Sequence, residues 1–302
     1  MSALAHFEHR LLRDEPLGKY TAARMGGNAD AVYVARNQDS TDELVEVIQS
    51  AWADGLSVRV IGGGANILVS DKGVRGLVVV NRVTDIQFGD WHDGRSVSAT
   101  GGTGLLALSR ECAKRGLMGM EWAIGVPGTV GGAIVNNAGA HGDDMSKSVA
   151  DVVVLEPSGV TLMTNAQLQY QYRYSALKAR DDKRFIVLLA TFVLPYGSTP
   201  MIHDKMDELN AYRKNTQPSG ASLGSVFKNP PNDYAGRLIE TSGLKGHTIG
   251  TAQVSPVHAN FFLNVGEANA QDYLALIEHV RETVYRQHQV ELELEIELFG
   301  EW

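Results

Sequence analysis

Leu44, Val47, Ile48, Ala51 and Trp52 recur at helical spacing behind Ser40 and Glu43, which stand at capping-box separation. The pattern predicts an amphipathic helix that stops near Gly55. Short β-type runs come next at Val58–Ile61, Ile67–Val69 and Leu77–Val80, parted by Gly62-Gly63-Gly64 and Asp71-Lys72-Gly73. From Val83 to Ala99 the pattern gives short strands with turns at Gly89 and Asp93-Gly94. A helix is expected from about Gly104 to Arg115, burying Leu105, Leu106, Leu108 and Cys112 and ending at Gly116. Val152–Leu155 and Phe185–Leu194 read as strands, Asp204–Lys214 and Ala270–His288 as helices. The chain closes on Val290–Leu298, a strict alternation of aliphatic residues with four glutamates, which predicts one long half-buried strand. No fixed-period repeat interrupts this α+β texture. The Pro195–Pro200 cluster, rich in Pro, Gly and Ser, is the expected domain boundary.

Composition narrows the class. The 302 residues fit two domains at ~150 residues each, or one large one, and 44% apolar with 21% charged residues supply a core. The net charge of −8 argues against a broad grip on nucleic acid or acidic lipid. One cysteine, Cys112, allows neither an internal disulfide nor a Cys/His zinc set. Residues 1–16 lack the apolar core of a signal peptide, and the longest apolar run, Phe185–Leu194, is about half the ~20 residues of a membrane span. A cytoplasmic protein without a membrane partner is expected.

Glycine is the outlier, with 32 residues, more than half of them between Gly62 and Gly142. The first cluster, Gly62-Gly63-Gly64-Ala65-Asn66-Ile67, joins two strands. It suits either a tight hairpin or a cradle of backbone N–H groups for phosphate oxygens. Ile67 stands where a Rossmann fingerprint needs its third glycine, and GxxxxGK[ST] is absent from the sequence. The second cluster runs Gly125 to Gly142 and is small and apolar rather than Ser-rich, which favours a bed for an extended ligand over a mobile loop.

Together the two clusters resemble the flavin-binding domain of the vanillyl-alcohol-oxidase (PCMH) type. Tyr172-Arg173-Tyr174-Ser175, Gly224-Ser225-Val226-Phe227-Lys228-Asn229-Pro230, Ala235-Gly236-Arg237-Leu238-Ile239-Glu240 and His258-Ala259-Asn260-Phe261 come after them in order. With these motifs the chain, over about residues 20–301, resembles the UDP-N-acetylenolpyruvoylglucosamine reductases, flavoenzymes that make UDP-N-acetylmuramate for bacterial cell walls. The resemblance implies a two-lobed FAD-binding domain at 20–196, with subdomains near 20–80 and 81–196. A smaller α+β substrate domain is implied at 200–302, its last strand packing back on the FAD lobe. The resemblance also implies non-covalent FAD, since His141 lacks a covalent-attachment context, with NADPH as hydride donor and a UDP-sugar as substrate. A monomer is expected.

The implied cofactor contacts are Gly62, Gly63, Gly64, Ala65, Asn66 and Ile67, then Ile124, Pro127, Gly128, Thr129, Gly131, Gly132 and Ala133. The resemblance implies that NADPH would reduce the flavin and that hydride would then pass to the enolpyruvyl methylene carbon. Charge gathers on the carboxylate and the adjacent carbon must be protonated, so a cation and a positioned acid are required. The resemblance assigns the first role to Arg173 and the second to Ser225, with Glu295 assisting on the intermediate. Read alone, each has a plainer reading: a surface arginine, a turn serine, one of four solvated glutamates. Only the Glu-x-x-x-x-Gly ending selects Glu295.

Asn229, Lys228, Arg237, Arg213 and Lys214 are the implied substrate contacts. Lys245 reads as an ordinary surface charge and His258 as a structural hydrogen-bonding residue. Thr216 stands where the family commonly has lysine, leaving Arg213 or Lys214 to compensate. The stretch from Tyr174 to Gly224 leaves no room for the tyrosine-bearing lid of one family branch, so the shorter branch is expected. Two other readings share the glycine clusters: a PCMH-type oxidase of a sugar or alcohol, and a non-catalytic flavin-binding paralogue. Neither has a use for Arg173, Ser225 and Glu295 together.

Overall fold

In a computed structural model of the chain the Ser40 hydroxyl accepts from the Glu43 N–H at 3.0 Å, and the first predicted helix runs Thr41–Ala53. The Glu43 carboxylate turns away from the cap, accepting from the Arg10 guanidinium and, at 3.0 Å, from the Tyr33 hydroxyl. Leu44, Val47, Ile48 and Ala51 are buried as their spacing predicts, while Trp52 is half-buried. The structure describes residues 3–36, 40–89 and 91–302.

The chain divides into two compact units, and it passes between them several times. One unit holds Met1–Leu12, Val32–Gly63 and Gly76–Tyr212; the other holds Arg13–Ala31, Gly64–Arg75 and Arg213–Trp302.

In the first unit, Val58–Ile61 pairs in parallel with Leu77–Val80. The unit also holds a five-stranded antiparallel sheet in the order Gly159–Thr164, Val149–Glu156, Ile186–Val193, Ser96–Thr100, Ile86–Gly89. The helix Leu105–Lys114, stopped by Gly116 at φ 68°, lays Leu105, Leu108 and Cys112 into the same core as Val97, Trp122, Ile134 and Phe192. The helix expected over Asp204–Lys214 is longer, Thr199–Thr216. Pro200 therefore sits in its first turn, where a missing N–H costs nothing.

In the second unit, four antiparallel strands lie in the order Ala221–Ser225, Phe261–Asn264, Ala252–Val254, Thr248–Ile249. The helix Ala270–His288, where the sequence places it, buries Tyr273, Leu276, Ile277 and Val280 in one core with Leu223, Phe227 and Phe262.

The predicted long strand over Val290–Leu298 is corrected. Regular strand forms only at Glu297–Phe299, in parallel with Ile67–Val69. Upstream, the single Val226 carbonyl accepts from both the Glu295 and the Ile296 N–H, at 2.8 and 3.5 Å, which breaks any ladder register. Leu292 and Ile296 are still buried. Alternation reports which side chains reach apolar surface, whereas a ladder also needs a free neighbouring edge.

Candidate functional site

The two glycine clusters meet within the first unit. A Cβ placed on Gly63 would stand 2.7 Å from Gly128 Cα, and one on Gly62 would run into Thr129 Oγ1. Real Cβ atoms do not approach so closely, so the loops are pressed together backbone to backbone. Gly64, at φ 62°, lies against the Tyr20 carbonyl in the second unit, again with no room for a side chain. Among the described residues, the N–H groups of Gly63, Gly64, Ala65 and Asn66 donate to no protein acceptor. Glycine here secures close approach and leaves a run of unused donors, which suits phosphate oxygens.

A third segment, Gly101-Gly102-Thr103, escaped the sequence reading. Its carbonyls accept the first N–H groups of the helix Val130–Asn136: Val130 donates to Thr103 at 2.8 Å and Gly131 to Gly101 at 2.9 Å. Side chains at Gly101 and Gly102 would collide with the Val187 and Val83 carbonyls. A Gly-Gly pair directly after a strand was the available signal. Of the other implied cofactor contacts, Ala133 is buried in the core and Pro127 is exposed. Ile124 packs with Ile202, Met206 and Leu209, and Gly132 has only Thr129 Oγ1 near its Cβ position.

Arg173 sits at a tight turn closed by Gln171 and Tyr174, which exchange backbone hydrogen bonds at 3.2 and 3.1 Å. Its φ of 54° is left-handed, unusual for arginine and a mark of a conformation held by its surroundings. Those surroundings are the tail of the second glycine cluster. Asn137 Nδ2 donates to the Gln171 carbonyl at 2.9 Å, the buried Ser175 hydroxyl to Val135 O at 2.6 Å, and Arg173 Nη2 to Gly139 O at 2.8 Å.

In the second unit, Ser225 and Glu295 come together through backbone. Ser225 ends its strand opposite Phe261, and the carbonyl of the next residue, Val226, accepts from the Glu295 N–H at 2.8 Å. Asn66 Nδ2 reaches the Glu295 carbonyl at 3.1 Å, and Glu297 N–H donates to Asn66 O at 2.9 Å. The glutamates now separate: Glu291, Glu293 and Glu297 are exposed, whereas Glu295 is half-buried. Burial thus sets apart the residue that only a motif had selected.

Ser225 and Asn229 also line a cavity of about 440 Å³ with Tyr234, Gly236, Arg237, Glu240, Val257, His258, Ala259 and Asn260. Asn229 Oδ1 accepts from the Ala235 N–H at 3.1 Å, fixing the entry to the helix Ala235–Thr241. Tyr234, 69% exposed on this cavity, carried no signal in the sequence. His258 Nδ1 accepts from the Asn260 N–H at 3.2 Å, and burial first, then Lys245, lowers its pKa while Glu240 opposes. That is the structural role expected of it.

The implied substrate cations are not equivalent. Lys228 pairs with Glu293 and Arg237 with Asp233, while Lys245 pairs with Glu240 at 2.8 Å. Arg213 is half-buried, which lowers its pKa from the usual arginine value, and Lys214 is exposed.

Comparison with known proteins gives these features a family. A model described as an FAD binding domain matches residues 33–165, and one described as the UDP-N-acetylenolpyruvoylglucosamine reductase C-terminal domain matches 216–299. The UDP-N-acetylenolpyruvoylglucosamine reductase of Halalkalibacterium halodurans is 41% identical over 293 residues, 95% of this chain and 94% of that protein. The Bacillus subtilis protein of the same name is 37% identical over 296 residues, covering 96% of this chain and 94% of its own. The crystal structure of UDP-N-acetylenolpyruvylglucosamine reductase from Thermus caldophilus superposes with a TM-score of 0.78 at 32% identity, covering 96% of this chain and 98% of that one. Near-complete coverage at such identity leaves no alternative family: the chain belongs to the UDP-N-acetylenolpyruvoylglucosamine reductases.

Proposed function

We propose that this protein reduces the enolpyruvyl group of UDP-N-acetylenolpyruvoylglucosamine with NADPH, giving UDP-N-acetylmuramate for peptidoglycan synthesis. The observation that carries the reading is the backbone knot at Val226, whose carbonyl joins the Ser225 segment to Glu295.

The residues present fit FAD. Gly63 and Gly128 approach too closely for any side chain, and the run of undonated N–H groups from Gly63 to Asn66 suits a diphosphate. Gly62 to Ile67, with Gly128, Thr129, Gly131 and Gly132, would hold it. Bound there, FAD supplies hydride acceptance from NADPH and hydride donation to the enolpyruvyl double bond.

This chain's own residues handle the charge and the proton. Conjugate addition of hydride at the methylene carbon leaves an enolate-like carboxylate. Arg173 stabilises it, as a permanent cation with forked donors, and its strained turn keeps the guanidinium in one place. Ser225 gives its hydroxyl proton to the carbon alpha to the carboxylate, completing addition of hydride and proton across the double bond. Among the described residues no protein group partners that hydroxyl, so it is available to substrate. Glu295, half-buried beside it, assists at the same intermediate. Arg213, Lys214, Lys228, Asn229 and Arg237 bind the substrate, and Arg213 or Lys214 stands in for the family lysine replaced by Thr216.

On the same reading residues 20–196 bind FAD and 200–302 bind substrate. The enzyme is a cytoplasmic monomer without a nucleic-acid or membrane partner, meeting water-soluble NADPH and UDP-sugar there. Among the described residues no helix is long and apolar enough to cross a membrane. The test is anaerobic. NADPH should bleach the bound flavin, and UDP-N-acetylenolpyruvoylglucosamine should then restore its colour. A flavin that NADPH reduces but the UDP-sugar cannot re-oxidise would overturn the assignment.

A further inference from the structure

Ser225 comes directly after Gly224, whose φ of 74° and open Cβ position place no side-chain restraint on that flank. Ser225 is then held by its ladder pairing with Phe261 and, on its C-terminal side, by Val226 and Phe227. The backbone of these two residues offers four polar groups, and all four are taken. Asn260 holds three: its carbonyl accepts from Val226 N–H at 2.8 Å, its Oδ1 from Phe227 N–H at 3.0 Å, and its Nδ2 donates to Phe227 O at 2.8 Å. Glu295 N–H holds the fourth, Val226 O, at 2.8 Å. Asn260 is 3% exposed, and its own N–H is fixed on His258 Nδ1 at 3.2 Å.

A primary amide carries its acceptor and its donor on two separate atoms held in one plane, so it can bind a backbone N–H and a C=O together. Here it binds both the N–H and the C=O of Phe227, as a neighbouring strand would, just beyond Ser225 opposite Phe261, the last pair of the ladder between Ala221–Ser225 and Phe261–Asn264. Side-chain bonds replace ladder bonds at the one place where the chain leaves the sheet carrying Ser225.

We propose that Asn260 is a positioning residue for proton donation by Ser225, holding the Val226-Phe227 segment in register so that the Ser225 hydroxyl stays aligned with Glu295. The proposal rests on the reading of Ser225 as the proton donor. It goes beyond that reading by naming the side chain that sets the donor's place. Misplacement of a reacting group by ~1 Å costs on the order of 10²-fold in rate. Loss of Asn260 is therefore expected to slow the proton-dependent half-reaction about 10- to 100-fold.

The experiment uses FAD-loaded enzyme reduced anaerobically with one equivalent of NADPH, then mixed with UDP-N-acetylenolpyruvoylglucosamine in a stopped-flow spectrophotometer. Four proteins are compared: wild type, Asn260→Ala, Ser225→Ala and the double variant. If Asn260 acts through Ser225, Asn260→Ala slows re-oxidation about 10- to 100-fold alone but less than about threefold on top of Ser225→Ala. Equal slowing in both backgrounds would mean a general structural role and would overturn the proposal. So would wild-type re-oxidation by Asn260→Ala. Wild-type re-oxidation by Ser225→Ala would instead overturn the proton-donor reading, and the positioning role with it.

Should Asn260→Ala fail to fold, Asn260→Asp serves in its place. It keeps an acceptor for Phe227 N–H and regains a donor for Phe227 O only when protonated. Its re-oxidation rate, taken as a ratio to wild type, should rise as pH falls. A ratio that stays flat with pH would overturn the proposal.

Discussion

Gly63→Ala tests whether the flavin bed is built by close backbone approach. The new Cβ would lie 2.7 Å from Gly128 Cα, against the 3.4 Å at which ordinary van der Waals contact begins, so the loops must part by about 0.7 Å. Gly128 Cα is backbone and cannot rotate aside. A donor moved that far turns a ~2.9 Å hydrogen bond into a ~3.6 Å separation, beyond bonding range. Loss of one bond to a charged acceptor costs about 1.5–3 kcal/mol, or about 10- to 150-fold in affinity. Overpacking costs the folded apo-protein about 1–3 kcal/mol besides. The assay is reconstitution of apo-protein with FAD, read by quenching of flavin fluorescence, with thermal melts alongside. Gly104→Ala is the control: its φ is −68°, nothing lies within 4 Å of its Cβ position, and FAD should bind it as wild type. The reasoning fails if Gly63→Ala binds FAD within about twofold of wild type, or if Gly104→Ala is equally impaired.

Three further outcomes rest on particular side chains. Arg173→Lys keeps the charge but not the fork, so substrate-driven re-oxidation should slow about 10²-fold; stopped-flow rates near wild type would contradict the role. Cys112 is fully buried and burial pushes its thiol up to about 12, so the reactive thiolate is scarce at pH 8. It should resist a chromogenic disulfide reagent until denaturant is added, and fast labelling of native protein would refute this. Burial lowers the His258 pKa below the usual 6.5, so the unfolded chain binds its proton first. Its contribution to stability is full above about pH 6.5 and is lost as pH falls towards the folded value. Melting curves should show the gap between wild type and His258→Gln narrowing below about pH 6.5; a gap that widens would reverse the sign.

Local order was readable from the chain. The Ser40 cap, the burial stripe behind it and the helix Ala270–His288 stand where spacing puts them, because capping and amphipathic period act over a few residues. The site was readable in part. The glycine clusters and the Gly-Ser-Val-Phe-Lys-Asn-Pro string announced chemistry through residue types that packing alone does not call for. The glutamate row shows the limit. Alternation placed Leu292 and Ile296 inside correctly, yet a full strand did not form, and alternation alone could not tell the four glutamates apart.

What the sequence determined by itself was the glycine composition of the two loops and the motifs that carry the family resemblance. Tertiary structure alone decided that Gly63 would lie on Gly128, that Val226 would join Ser225 to Glu295, and that Asn260 would take three of the four backbone groups between them. These contacts link residues far apart along the chain. Which backbone groups find each other at such separations depends on how the sheets are threaded and which edges remain unpaired, and periodicity along a single segment carries no record of that.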